Sequence, residues 1–307
     1  MRVALKKLLD HRLATSARWC AWKRIALRDS AATKVIAAER DYENLDVYQP
    51  FLADKRASTL FILGAGSSIL DLTDAHFRHI RHHASVGINV WAIHPFVPDV
   101  YCFETGQESE NLGADTAYIN QHLKTKNLKS CNPVFLFLRP RNSSFLQNMV
   151  SPPDGLTGRR LMYGRANLIS RNSKNLQTDI RRVVRSYKDA RTPGNVLLDN
   201  GASVVRIILL GALQGFKQIV LVGVDLDSRP YFWESSDYRF GSDTIRQVFS
   251  RPSGRPHDTL ETENRPFPTD QFINALSTVV REELSAEVFV GSADSKLATT
   301  LPLDPWP

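Results

Sequence analysis

From residue 58 onward, short apolar runs alternate with stretches of helical periodicity. Thr59-Leu-Phe-Ile-Leu63, Ser85 to Asn89, Val100 to Phe103, Val134-Phe-Leu-Phe-Leu138, Gln218 to Val224 and Glu287-Val-Phe-Val290 have the length and composition of buried strands. Between them, Asp74 to Ile80, Asn175 to Tyr187, Ala202 to Gln214 and Asp270 to Leu284 read as helices. The apolar helix from Ala202 stops at Gly215, as a helix does where a left-handed residue follows it. This alternation predicts an α/β fold: a Rossmann-like, mostly parallel sheet with helices on both faces. Ligands of such sheets bind beyond the carboxyl ends of the strands. That rule lines up Gly64 to Ser68, Asn89, Glu104 and Asp225 along one edge. Residues 141–195 are polar and are expected to hold one or two helices. Residues 226–267, rich in Pro, Ser, Gly and Arg, read as a lid that orders on binding.

The chain ahead of this pattern is different. In residues 1–29, Leu8, Trp19, Trp22 and Ala26 fall on one helical face, with Leu5, Leu9 and Leu13 beside it. Residues 30–57 read as a second, more polar helix and a linker. The expected organisation is therefore a basic N-terminal helical segment, 1–57, and one domain, 58–307. Charge sharpens the picture. The chain carries a formal net charge of +7, and residues 1–29 hold eight Lys/Arg against Asp10 and Asp29. An excess gathered at one end suits an anionic membrane surface better than a nucleic-acid groove spread across the protein. Two placements are open for the helix: in a membrane interface, or packed on the body of the domain.

Composition excludes several classes. With 42% hydrophobic and 23% charged residues the chain is an ordinary globular sequence. Cys20, Cys102 and Cys131 show no CxxC spacing, against a disulfide framework or a zinc site and in favour of a reducing cytoplasm. The longest apolar stretch, Val204 to Val224, is broken by Arg206, Gln214 and Lys217, so no membrane span is expected. The basic N-terminus has no clean apolar core or small-residue cleavage site and does not read as a signal peptide.

Four constellations carry candidate chemistry. Gly64-Ala-Gly66-Ser67-Ser68 follows the first strand, where tight turns and free N–H groups favour a phosphate. A dinucleotide fingerprint would need glycine at Ile69 and an acid where Asn89 stands, so NAD is disfavoured and a mononucleotide stays open. Asn200-Gly-Ala-Ser203 opens the apolar helix, either as an N-cap or as a hydroxyl facing a ligand. Asp225 ends a buried strand and makes an Asp-x-Asp with Asp227, a pattern that also serves divalent metal and diphosphate. His257, just after Arg251 and Arg255 in the run Arg251-Pro-Ser-Gly-Arg255-Pro-His257, has the chemistry to take a proton from a sugar hydroxyl. His76, His79, His82 and His83 read as a solvated helix face rather than a metal site.

Together these pieces resemble the small bacterial lipooligosaccharide sialyltransferases and related Rossmann-like proteins of surface-polysaccharide gene clusters. The residues that carry the resemblance are Gly64-Ala-Gly66-Ser67-Ser68-Ile69, Asn89, Ser203, the run Gly215-Phe216-Lys217-Gln-Ile219-Val-Leu221-Val-Gly223-Val-Asp225, and Asp294-Ser295-Lys-Leu297. It spans roughly residues 58 to 300, and departs from the family pattern at Ala65, Ser67 and Asp227. The resemblance implies an inverting, metal-independent glycosyltransferase with no cofactor beyond its CMP-sugar donor, of sialic acid or Kdo type, and a glycan or glycolipid acceptor. His257 would be the base, and Tyr231, Tyr238 and Arg255 would hold the leaving phosphate. Gly64, Gly66, Ser67, Ser68, Asn89, Glu104, Asn200, Ser203, Asp225 and Ser295 would line the nucleotide site. Two rivals stand beside it: a metal-dependent nucleotide-diphosphate-sugar transferase or pyrophosphokinase using Asp225 and Asp227, and a nucleotide-binding scaffold without chemistry. The location implied is cytoplasmic, peripheral at the inner face of the membrane.

Overall fold

Period-two alternation sends successive side chains of a strand to opposite faces of its sheet. Leu60 and Ile62 enter one apolar core with Val86, Leu136, Leu138, Ile219 and Leu221. Phe61 and Leu63 enter a second with Tyr101, Phe103, Phe135, Phe137 and Val220. A sheet that is apolar on both faces needs a helical layer on each.

The computed structural model describes residues 2–51, 58–104, 112–140, 149–153, 156, 158–168, 172–238, 245 and 267–306. Within them nine strands form one sheet: β1 (Glu43–Asn44), β2 (Thr59–Leu63), β3 (Ala84–Ile88), β4 (Val100–Phe103), β5 (Val134–Leu138), β6 (Arg160–Asn167), β7 (Val196–Asp199), β8 (Gln218–Val222) and β9 (Glu287–Val290). Their order is β1-β6-β5-β4-β3-β2-β8-β9, with β7 paired to the second half of β6, and every ladder is parallel. From β2 the chain steps outward through β3, β4 and β5 to β6, then returns to β8 on the other side of β2. The topological switch point therefore lies between β2 and β8. This is the Rossmann-like α/β architecture expected from the alternation.

The helices are α1 (Arg2–Glu39), α2 (Asp74–Arg81), α3 (Leu112–Thr125), α4 (Ser173–Lys188), α5 (Ser203–Leu213) and α6 (Thr269–Leu284). α1, α4, α5 and α6 supply the first core, and α2 and α3 the second. α5 is buried on every side from Ser203 to Ala212, because a helix this apolar has no face to offer water. α6 shields it, and Arg181 and Arg185 of α4 pair with Glu282 and Glu283 of α6 at the surface.

Several expectations need correction. Residues 30–39 are not a second helix but the end of α1, and Glu43–Asn44 is an edge strand opposite Leu161 and Met162. The N-terminal segment is thus woven into the sheet rather than standing apart from the domain. Trp22 and Ala26 are buried, and the Trp22 indole donates to the Ala166 carbonyl at 3.3 Å. Ser30 donates to Asn195 at 2.7 Å, and Asp29 accepts from the Arg165 N–H at 2.6 Å and from Arg139. From Trp19 onward, then, the apolar stripe packs on the body of the protein.

The polar region 141–195 contains a strand, β6, that apolar patterning does not predict; α3, β1 and β7 were not expected either. Gly164 interrupts β6 because α1 crosses there: a Cβ would collide with Asp29 and Thr33. The first part of the expected lid is core, not cover, since Phe232, Trp233 and Tyr238 are buried. His79 and His83 lie 4.6 Å apart at a tilt of 50° and, half-buried, pack against Phe61, with His79 also against Trp306, while His82 is exposed. No helix among the described residues is long and apolar enough to cross a membrane.

Candidate functional site

At the switch point the chain leaves β2 through Gly64 and Gly66, whose N–H groups bond to the carbonyls of Val222 and Gly223, each at 2.7 Å. The two loops thereby extend the β2–β8 ladder past its strands. Gly66 has no room for a side chain, because a Cβ would enter the Asp225 carboxylate. Asp225, buried just beyond β8, accepts from the Ser68 N–H at 2.9 Å and from its hydroxyl at 2.5 Å. Ser67–Asp71 is a short 3-10 turn, so this carboxylate sits where an anion would meet the first N–H groups of a helix.

Arg229 completes the closure. Its guanidinium lies 3.6 Å from Asp225, bonds to Asp227 at 2.6 Å and reaches Asp294 at 3.3 Å. Across the gap, Tyr231 forms a bridge with Gly66, and the Phe232 N–H donates to the Ala65 carbonyl at 3.0 Å. Ser295 is buried, donating to the Val224 carbonyl at 2.8 Å and accepting from Leu297 N–H at 3.2 Å. The residues Gly64, Gly66, Ser67, Ser68, Asp225, Tyr231 and Ser295 are thus brought together as expected. Their polar atoms are largely engaged with one another. Asp225→Ala would strand the Ser68 donors, while Arg229 keeps Asp227 and Asp294. Urea unfolding should show a loss of about 1–3 kcal/mol, the scale of hydrogen bonds to a charged group.

A second group stands next to it, beyond the ends of β3 and β4. Asn89 follows β3 with φ of 50°, the left-handed conformation that asparagine tolerates. Its Oδ1 accepts from the Glu104 N–H at 2.9 Å, and its Nδ2 donates to the Ser203 hydroxyl at 3.3 Å. Ser203 opens α5 and donates to the Glu104 carboxylate. One turn on, Arg206 is fully buried and bonds to both Glu104 and Asp199, with its Nε 3.2 Å from the Tyr163 hydroxyl. Cys102 Sγ lies 3.6 Å from that same hydroxyl.

Burial dominates the electrostatics of this group. It pulls the Arg206 guanidinium down to about 10 and pushes the Cys102 thiol up to about 11. The Tyr163 hydroxyl is raised well above its ordinary value by the same cause, reinforced by Cys102. Glu104, with 22% of its side chain exposed, is where the network meets solvent. Nearby, Asn200 donates to the Phe267 carbonyl at 3.1 Å, while its Oδ1 is buried with no hydrogen-bond partner among the described residues. A buried carbonyl oxygen without a donor is costly, and a ligand N–H or O–H would satisfy it.

Asn89, Glu104, Ser203 and Asn200 can therefore receive hydroxyl or amine donors at the sheet's carboxyl edge. Tyr238, the other tyrosine considered for phosphate, is buried and donates to the Ile93 carbonyl at 3.3 Å. Its hydroxyl is already in use. His257 and Arg255 lie outside the described residues, as does Arg251. Asp225 and Asp227, the pair of the metal reading, are both held by Arg229, and no three His, Cys, Asp or Glu side chains gather as metal ligands among the described residues.

Sequence reasoning missed Arg206, Asp199, Tyr163 and Arg229. One signal was present: an arginine inside an otherwise apolar helix is almost never fully buried unless paired, so its acidic partners should have been sought. The chain matches no family model, no curated protein and no solved structure.

Proposed function

We propose that this protein is a glycosyltransferase that moves an acidic sugar, of sialic acid or Kdo type, from a CMP-activated donor to a glycan or glycolipid acceptor. The transfer is inverting and needs no metal. The observation that carries this reading is the Asn89–Glu104–Ser203 set, joined by hydrogen bonds at the carboxyl edge beside the switch point. A carboxylate there can accept from the exocyclic amine of cytosine or from ribose hydroxyls, and the open Oδ1 of Asn200 adds another acceptor. The resemblance names the same asparagine and serine. His257 takes the acceptor hydroxyl proton, and Tyr231 with Arg255 steadies the departing phosphate charge. The basic turns of α1 ahead of Trp19 rest against an anionic membrane at its cytoplasmic face.

One observation favours a different reading. The helix-turn N–H at Ser68, which a phosphate would take, is occupied by Asp225. A nucleotide-binding scaffold without transfer chemistry fits that arrangement. Turnover of CMP-sialic acid or CMP-Kdo would remove the scaffold reading, and thermal stabilisation by CMP, CDP, UDP, GDP and ATP, with and without magnesium or manganese, separates the CMP reading from the metal-dependent one. CMP at about 100 times its dissociation constant should add about 2.7 kcal/mol without metal. Stabilisation only by a di- or triphosphate with metal would replace the proposal with a metal-dependent enzyme. No response to any nucleotide would remove CMP from it altogether.

A further inference from the structure

A cavity of about 480 Å³ lies at the other end of the sheet, among the segments that lead into β4 and β5. Arg81 and Lys126 contribute its charge, His122 adds a ring N–H, and Ile93, Pro95 and Val97 line part of its wall. Among the described residues no carboxylate lines it, and none of the three basic side chains forms an ion pair. Arg81 is held over the Phe96 ring, 4.8 Å from its centre. The Lys126 ammonium donates to the His94 carbonyl and to the Tyr101 hydroxyl at 3.2 Å, neutral partners that fix its position without cancelling its charge.

The groups around it register the deficit. Burial brings Lys126 down to about 7. His122 is lowered by burial and then by Lys126, and His94 falls to about 3 for the same two reasons, in the same order. Cations in a half-buried space with nothing to neutralise them are unfavourable, and an anion placed among them would reverse that.

We propose that this cavity is a second binding site, for a small organic oxyanion bearing a phosphate or carboxylate groups. Arg81, His122 and Lys126 bind the oxyanion, and the aliphatic wall takes the carbon skeleton. The volume is within the range that holds small metabolites. The site is separate from the Asn89–Glu104–Ser203 edge, and does not depend on what binds there.

Cys131 lines the cavity and is exposed, and Cys20 is exposed elsewhere, so alkylation supplies its own control. The full chain is treated with iodoacetamide at pH 6.5, where the Lys126 ammonium is protonated, in the presence of phosphoenolpyruvate, citrate or inorganic phosphate, with sodium chloride at matched ionic strength. The rates at both cysteines are read by mass spectrometry. Saturable protection of Cys131 but not Cys20 by phosphoenolpyruvate or citrate is the expected result. Phosphate protecting as well as phosphoenolpyruvate would overturn the role given to the apolar wall. Lys126→Met should weaken the protection about tenfold or more, as losing a bond to a charged group does. Arg81→Gln, at an exposed position, tests the same site should Lys126→Met fail to fold. An unchanged Cys131 rate with every anion, equal protection by chloride, or equal protection in Arg81→Gln would overturn the proposal.

Discussion

Replacing Arg206 with methionine is expected to lower the stability of the protein by about 3–5 kcal/mol, the cost of removing one partner from a buried ion pair. Arg206 has no exposed surface and bonds to Asp199, which has none either, and to Glu104. Methionine fills much of the space but removes the close guanidinium from the Asp199 carboxylate, leaving Arg165 at 3.7 Å. The penalty belongs to the stranded carboxylate more than to the lost bonds. The double variant Arg206→Met, Asp199→Asn should therefore be more stable than Arg206→Met alone. Urea unfolding followed by tryptophan fluorescence gives both numbers. A loss below about 1 kcal/mol for the single variant would mean that the network relaxes to let water reach Asp199.

His257→Ala is expected to reduce transfer from CMP-sialic acid or CMP-Kdo by about 10²–10⁴-fold, the usual contribution of a positioned general base. CMP binding should be unchanged. A histidine has the pKa for this task near neutral pH, and the two arginines just before it, Arg251 and Arg255, suit a phosphate leaving group. Initial rates with the two donors, set beside CMP affinity by calorimetry, test the assignment. Equal rates would remove His257 from the chemistry. Parallel loss of rate and CMP affinity would make it a residue that shapes the nucleotide site.

What the sequence disclosed depended on how each element is stabilised. β2, β4, β5 and β9 were legible to the residue, because each is a short apolar run ended by a turn or a polar residue. β6 was not. Its Gly164 and Arg165 break the apolar pattern, and only Asp29 and Asp199, distant in sequence, explain why they are tolerated. α1 was legible as a helix but not in its reach, since its continuation to Glu39 depends on the sheet surface it covers. At the candidate site, Asn89, Ser203 and Glu104 were placed on one edge by topology alone. The engagement of Asp225 by Ser68 was not foreseeable, because a carboxylate after a strand reads the same whether it serves a ligand or its own neighbour.

The seating of α1 has a consequence for how the chain matures. Trp19 and Trp22 leave the ribosome early, but Ala166 and the Tyr187 ring that Trp22 meets are made much later. At about 5–20 residues per second, the tryptophan face waits on the order of ten seconds without its sheet. During that interval the tryptophan face of the helix has no sheet to pack on. The final contact of α1 with β6 then acts as a checkpoint in synthesis: it closes only when more than half of the domain has been delivered in order.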